Sequence, residues 1–188
     1  MFLLIEYINY YIFHVYSHYI NCVQKLKDSS YIIREILPQD NLQIRNVIRD
    51  VFVELKLPLV GTAYADSETD IMYESYQNDR EKYFIIEYNG IIVGGGGIKP
   101  LENGDDNICE LQKMYFSKSI RGKGLGKEML QKCLNFAIES NFKICYLETI
   151  TQLQSAIILY DKFGFKKING PFGNTSHFSC DIHMTKNL

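Results

Sequence analysis

The sequence has almost no net charge, no paired cysteine spacing, no internal repeat and none of the common nucleotide-binding loops. Each absence excludes something. Twenty basic residues against twenty-two acidic ones give a formal charge of −2, which argues against nucleic acid or an anionic membrane as the main partner. Cys22, Cys109, Cys133, Cys145 and Cys180 are scattered, so no disulfide framework is expected. With no cleavable signal evident, a reducing, cytoplasmic setting follows as an expectation. Cys180 and His183 have ligand spacing, but a structural zinc needs four ligands and no second pair exists, so no metal is expected. The length suits one domain with a sizeable core.

The first thirty residues differ from the rest. Phe2 to Ile20 is rich in Tyr, Ile and Phe and lacks a basic start. Glu6 and the asparagines count against a membrane span. Residues 1–30 are therefore read as an N-terminal extension of open role: an added amphipathic helix, an anchor, or a stretch ahead of the true start. Residues 31–188 form the domain.

Along that domain, Tyr31–Ile36 reads as a strand. A helix follows with Leu42, Val47, Val51 and Leu55 on one stripe, and a second helix begins near Asp66 or Ser67 with Ile71, Met72 and Tyr76 inward. Strands 82–88 and 91–93 flank Asn89-Gly90, a two-residue hairpin signal. The second strand runs into Gly94–Gly97, where missing side chains permit close approach or a bulge. Then come a strand at Cys109–Phe116, a helix at Leu125–Ser140, a strand at Lys143–Thr149, a helix at Ser155–Phe163, and closing strands at Phe165–Ile168 and Phe178–Met184. This order predicts an α/β fold with a single mixed, mostly antiparallel sheet flanked by helices.

The most informative stretch is Arg121-Gly122-Lys123-Gly124-Leu125-Gly126, between a strand and a helix. Such a turn presents backbone N–H groups at a helix N-terminus, where the dipole favours a phosphate. It is not a Walker A loop, because Glu128 follows Gly126-Lys127 and Arg121 replaces the first glycine. It is not a dinucleotide loop, because Lys127 holds the third-glycine position. Arg121, Gly124 and Gly126 instead follow R-x-x-G-x-G, a pattern that resembles the pyrophosphate arm of acyl-CoA N-acyltransferases.

Three further stretches stand in order around the arm: Glu110–Phe116, Tyr146-Leu147-Glu148-Thr149, and Ala156 to Phe165 with its Tyr160-x-x-x-Gly164-Phe165 ending. On these residues the chain resembles the GCN5-related N-acetyltransferase (GNAT) superfamily over roughly residues 31–188. The resemblance implies a V-shaped cleft in which Met114, Tyr115 and Phe116 meet the pantetheine and thioester of acetyl-CoA. It also implies that Arg121, Gly122, Lys123, Gly124, Leu125 and Gly126 hold the pyrophosphate. Glu110 is implied as general base and Tyr160 as general acid; Glu148 could help hold the amine. Relatives often carry Asn where this chain has Leu153, so that contact is unassigned. The acidic Asp66–Glu74 segment would attract a cationic amine, and His177 stands in a loop over the same cleft. The implied reaction is acetyl transfer from acetyl-CoA to a primary amine of a small molecule or peptide. A non-catalytic acyl-CoA sensor and a different acyl donor stay open, as does a homodimer.

Overall fold

The computed structural model describes residues 31–173 and 175–188; the readings made for residues 1–30 lie outside them. Strands β1 (Tyr31–Glu35), β2 (Lys82–Tyr88), β3 (Ile91–Pro100), β4 (Ile108–Phe116), β5 (Ile144–Thr149), β6 (Lys166–Ile168) and β7 (Ile182–Asn187) form one sheet in the order β1-β2-β3-β4-β5-β7-β6. Helices α1 (Asn41–Glu54), α2 (Leu125–Glu139) and α3 (Gln154–Lys162) connect them. The β2–β3, β3–β4, β5–β7 and β6–β7 pairs are antiparallel, and β4–β5 is parallel. The expected mixed, mostly antiparallel sheet is therefore the observed one.

Local chemistry explains the elements. Asn89 and Gly90 take φ of 51° and 78°, the doubly left-handed turn that matches strand twist, and Tyr88 pairs with Ile91 across it. Strand β2 is buried on both faces. Tyr83 and Ile85 join the cluster of Ile44, Ile48 and Phe52 from α1, while Phe84 meets Phe136 of α2 edge-on at 6.2 Å. That two-sided burial is why the run Tyr83–Ile86 is continuously apolar rather than alternating.

Three sequence expectations need correction. The buried stripe of α1 is Ile44, Ile48, Val51 and Phe52, with Leu42 and Leu55 exposed. Aliphatic residues surround this helix, so periodicity alone does not choose the face; the Phe52 ring settles it by packing 5.1 Å from Tyr115 and 6.0 Å from Tyr64. The second helix does not form. Ser67–Asp70 and Glu74–Tyr76 are short 3-10 turns, because Ile71 leaves the helical region (φ −130°, ψ 48°) and Thr69 Oγ1 is drawn inward to the Ala63 carbonyl at 2.7 Å. The last strand starts at Ile182 rather than Phe178. Asp181 accepts bonds from Thr151 N (2.8 Å) and Oγ1 (2.7 Å), pinning the strand's start beside the end of β5, and Phe178 is left exposed.

The glycine tract has a packing reason. A Cβ on Gly95 would lie 2.6 Å from the Tyr83 ring and 2.8 Å from the Phe84 carbonyl; one on Gly96 would lie 2.9 Å from the Met114 side chain. Tyr83 cannot withdraw freely, since its hydroxyl donates to the Lys113 carbonyl at 2.8 Å. Gly95→Ala is therefore expected to lower unfolding stability by about 1–3 kcal/mol, the usual cost of overpacking. Urea denaturation checks this, and an unchanged midpoint would show that the ring yields without cost.

Candidate active site

The site begins with a bulge in β4. Gly95 pairs with Tyr115 and Gly97 with Gln112, so Gly96 faces an extra residue, and Lys113 takes φ of 50°. On the other side, β4 pairs with β5 only from Ile108–Ile144 to Glu110–Tyr146. Beyond Glu110 the two parallel strands part. Glu110 and Tyr146 are the last residues of the zipped segment, and Glu148 follows on the same face of β5 as Tyr146.

Three ligand-bearing side chains converge there. One atom each of Glu110, Glu148 and His177 lie within 4.8 Å of one another. Glu110 is 2% exposed. Burial pushes its carboxyl up to about 7, as does the nearby charge of Glu148, against the lowering effect of a 2.6 Å bond from Gln112 Nε2. Glu148 Oε1 accepts from Tyr146 Oη (2.6 Å) and Thr175 Oγ1 (2.8 Å).

A second layer holds this group. Burial alone would raise the Asp66 carboxyl, but the His177 bond and the Lys113 charge outweigh it and hold the group at about 2. A carboxylate so held only accepts, so His177 Nε2 donates to Asp66 Oδ2 at 3.0 Å. Burial opposes charging His177, yet that bond raises its pKa overall. The Lys113 ammonium, on a side chain 2% exposed, lies 3.0 Å from Asp66 and 3.4 Å from Glu68, whose other oxygen takes Lys99 at 2.7 Å. A cavity of about 480 Å³ opens among these charged groups, lined by Asp66, Glu68, Lys99, Gln112, Lys113 and His177.

The glycine arm lies at the other end of β4. Gly124 is the N-cap of α2 with φ of 85°, and Gly122 has φ of 77°; a Cβ on either would meet nothing within 4 Å. The first bonds into the helix run from Lys127 and Glu128 to the Gly124 carbonyl, so the preceding N–H groups form the helix's orphan set. This open, left-handed turn at a helix N-terminus fits a diphosphate. Arg121 is engaged elsewhere: Nε donates to the Phe116 carbonyl at 2.8 Å, and the guanidinium fork grips Glu54 at 3.0 and 2.8 Å. Phe116 Cε2 and Leu159 Cδ2 would sit 3.5 and 3.6 Å from a Cβ on Gly126, linking the arm to α3.

Tyr160 is buried on α3, 5.8 Å from the Phe165 ring. Burial raises its phenol pKa well above the ordinary value. Leu153 caps α3 without a side-chain bond and packs against the α1 cluster, while the Gln154 amide is spent on the Thr151 carbonyl.

An open sheet parted at its centre, with a helix-capped glycine turn beside the gap, defines an acyl-CoA-type transferase architecture. Solved structures share the fold. An acetyltransferase of the GNAT family from Staphylococcus aureus Mu50 matches with a TM-score of 0.71 and 21% identity, over 84% of this chain and 99% of its own. YncA of Salmonella typhimurium, solved with its cofactor acetyl-CoA, matches at 0.67 and 19% identity, over 84% and 93%. The N-acetyltransferase YjgM of Escherichia coli K12 is 41% identical over 167 residues, 88% of this chain and all of its own length. The profile of the acetyltransferase (GNAT) family matches residues 46–165. The chain therefore belongs to the acetyltransferase (GNAT) family, enzymes that draw on acetyl-CoA. No helix among the described residues is long and apolar enough to cross a membrane.

Sequence reasoning singled out Glu110, Glu148, Tyr160, the arm and His177, but not Gln112, Lys113, Tyr146 or Thr175. Strand alternation carried a signal for Gln112 and Tyr146, which share a face with Glu110 and Glu148. The arm generates a direct test. Gly124→Glu places a carboxylate and a strained φ in the open turn, and is expected to weaken acetyl-CoA binding at least tenfold in calorimetry while unfolding stays cooperative. Unchanged affinity in the folded variant would remove the arm from phosphate binding.

Proposed function

We propose that the chain is an N-acetyltransferase that moves the acetyl group of acetyl-CoA to a primary amine of a small molecule or peptide. The observation that carries this reading is Glu110: a buried carboxyl tuned to about 7, placed where β4 and β5 part. A group with that pKa takes a proton from an ammonium at neutral pH and returns it readily. A module that only binds acyl-CoA has no use for such tuning.

Acetyl-CoA supplies the activated thioester. The chain's residues do the rest. Backbone groups of Met114, Tyr115 and Phe116 line the parted strand and hold the pantetheine arm. The N–H groups of Gly122–Gly126, with Lys123, hold the diphosphate; Arg121 braces this arm through Glu54 and the Phe116 carbonyl and reaches the phosphates by exchanging Glu54 for them. Glu110 removes the proton from the acceptor amine, and Glu148 steadies that amine. Tyr160 faces the leaving sulfur. Burial keeps its phenol protonated through the working range, so it arrives as a donor. An ordinary thiol has a pKa near ~8.5, so complete transfer from Tyr160 is uphill and its contribution is a hydrogen bond that develops with the thiolate.

The cavity between Asp66 and His177 receives the acceptor. Its polar, mixed-charge walls suit a soluble amine better than a lipid. The setting proposed is the cytoplasm.

Glu110 and Tyr160 each generate a test. Glu110 must be unprotonated to act, so kcat is expected to rise with pH and level off above about 7. Glu110→Gln is expected to lower kcat by roughly 10²–10⁴ and to abolish that rise while acetyl-CoA still binds. Tyr160→Phe is expected to lower kcat more than acetyl-CoA affinity. Thiol release across an amine panel reads both, and a Glu110→Gln variant with full turnover would remove the base assignment.

A further inference from the structure

We propose that Glu110, Glu148 and His177 also form a divalent-cation site of the zinc class, and that filling it closes the acceptor side of the active site. The proposal rests on that pocket being the acceptor site. Three donor atoms within 4.8 Å of one another, two carboxylate oxygens and an imidazole nitrogen, come from β4, β5 and the loop before β7. Zinc–ligand bonds are about 2.0–2.2 Å, which puts tetrahedral ligand atoms roughly 3.3–3.6 Å apart. Side-chain rotations on the order of 1 Å bring the three donors to that spacing and leave a fourth position for water.

The independent sign of a missing cation is Glu148 Oε2. The Glu148 side chain is 3% exposed, and Oε2 is the one buried side-chain oxygen or nitrogen without a hydrogen-bond partner among the described residues. His177 Nδ1 stands 3.8 Å away, within ion-pair reach but too far for a hydrogen bond. An acceptor left unpaired in a buried place is costly; Oε2 faces His177 Nδ1, and a Glu148 carboxylate oxygen lies within 4.8 Å of ligand atoms of both Glu110 and His177.

The surrounding bonds have the pattern of a metal's outer shell, where each ligand's second atom is held so that the first is aimed. His177 Nε2 is held by Asp66, leaving Nδ1 turned to Glu148; zinc binds the ring once Nδ1 has lost its proton. Glu148 Oε1 is held by Tyr146 and Thr175, leaving Oε2. Glu110 Oε2 is held by Gln112, leaving Oε1. The Lys113 ammonium is taken up by Asp66 and Glu68. One nitrogen with two carboxylates favours zinc over magnesium or calcium, which want six or more oxygens. An acceptor ammonium seeks the same three atoms, so metal and amine exclude each other. Glu110 is also the proposed base, so zinc at this site removes it from proton transfer.

The test uses the full chain after chelator treatment. Zinc chloride in calorimetry is expected to bind one equivalent per chain, at least tenfold more weakly in His177→Ala and in Glu148→Gln. Glu148→Gln retains an acceptor for Tyr146 and Thr175, and is the variant to read should His177→Ala fail to fold. Cys180→Ser is expected to leave zinc affinity unchanged. Cobalt(II) in place of zinc is expected to give visible ligand-field bands without the near-ultraviolet charge transfer of a thiolate. Zinc is expected to inhibit competitively against the amine and not against acetyl-CoA. Absence of saturable binding, affinity retained in the Glu148 variant, or a thiolate band would each overturn the site. Zinc binding by a metal-free protein that acetylates no amine would support the site and sink the acceptor reading; zinc-insensitive acetylation without calorimetric binding would do the reverse.

Discussion

The buried Lys113 ammonium is the interaction around which the proposed acceptor side is arranged. Its backbone makes the bulge that irregularly sets β4 against β3, with the Tyr83 hydroxyl on its carbonyl. Its side chain runs to Asp66 and Glu68 in the segment before β2. A lysine this buried is tolerable only with paired carboxylates, because an uncompensated charge in such a place costs several kcal/mol. The 3-10 turn at Ser67–Asp70 is therefore held by electrostatics, and a regular helix there would carry Asp66 and Glu68 out of register with Lys113.

From Lys113 the charges alternate outward. Asp66 bridges Lys113 and His177; Glu68 bridges Lys113 and Lys99. Each buried charge has an opposite neighbour, except where the chain leaves two carboxylates together. Glu110 and Glu148 face one region beside His177, whose Nδ1 lies 3.8 Å from Glu148 Oε2, and there the Glu110 carboxyl is raised to about 7 and Glu148 Oε2 has no hydrogen-bond partner. In a low-dielectric place that is an unfinished arrangement, and a positive ligand completes it. An acceptor amine and a metal ion are two ways of completing the same electrostatics.

Much of the fold was legible because it depends on local rules. Asn89-Gly90 made its hairpin, Gly164 ended α3, and the Tyr83–Ile86 run was a strand however it packed. The failures lie where tertiary partners override local preference. Ser67–Asp70 has acidic residues suited to a helix start, but Lys99, Lys113 and Arg49 claim those side chains. The sequence stripe puts Leu42, Val47, Val51 and Leu55 inward, and the aromatic contacts of Phe52 turn Ile44 and Ile48 inward in place of Leu42 and Leu55.

The same distinction divides the two halves of the active site. The proposed donor side is built from backbone groups in a turn that only glycine adopts readily, so Gly122 and Gly124 mark it in the sequence whatever surrounds them. The proposed acceptor side is built from side chains drawn from β4, β5, the turn at 67–70 and the loop at 175–177, and no short motif can encode such a meeting. In this chain a histidine, held by Asp66, stands against two buried carboxylates. The acceptor is therefore to be sought through the chemistry of those three groups rather than through the fold.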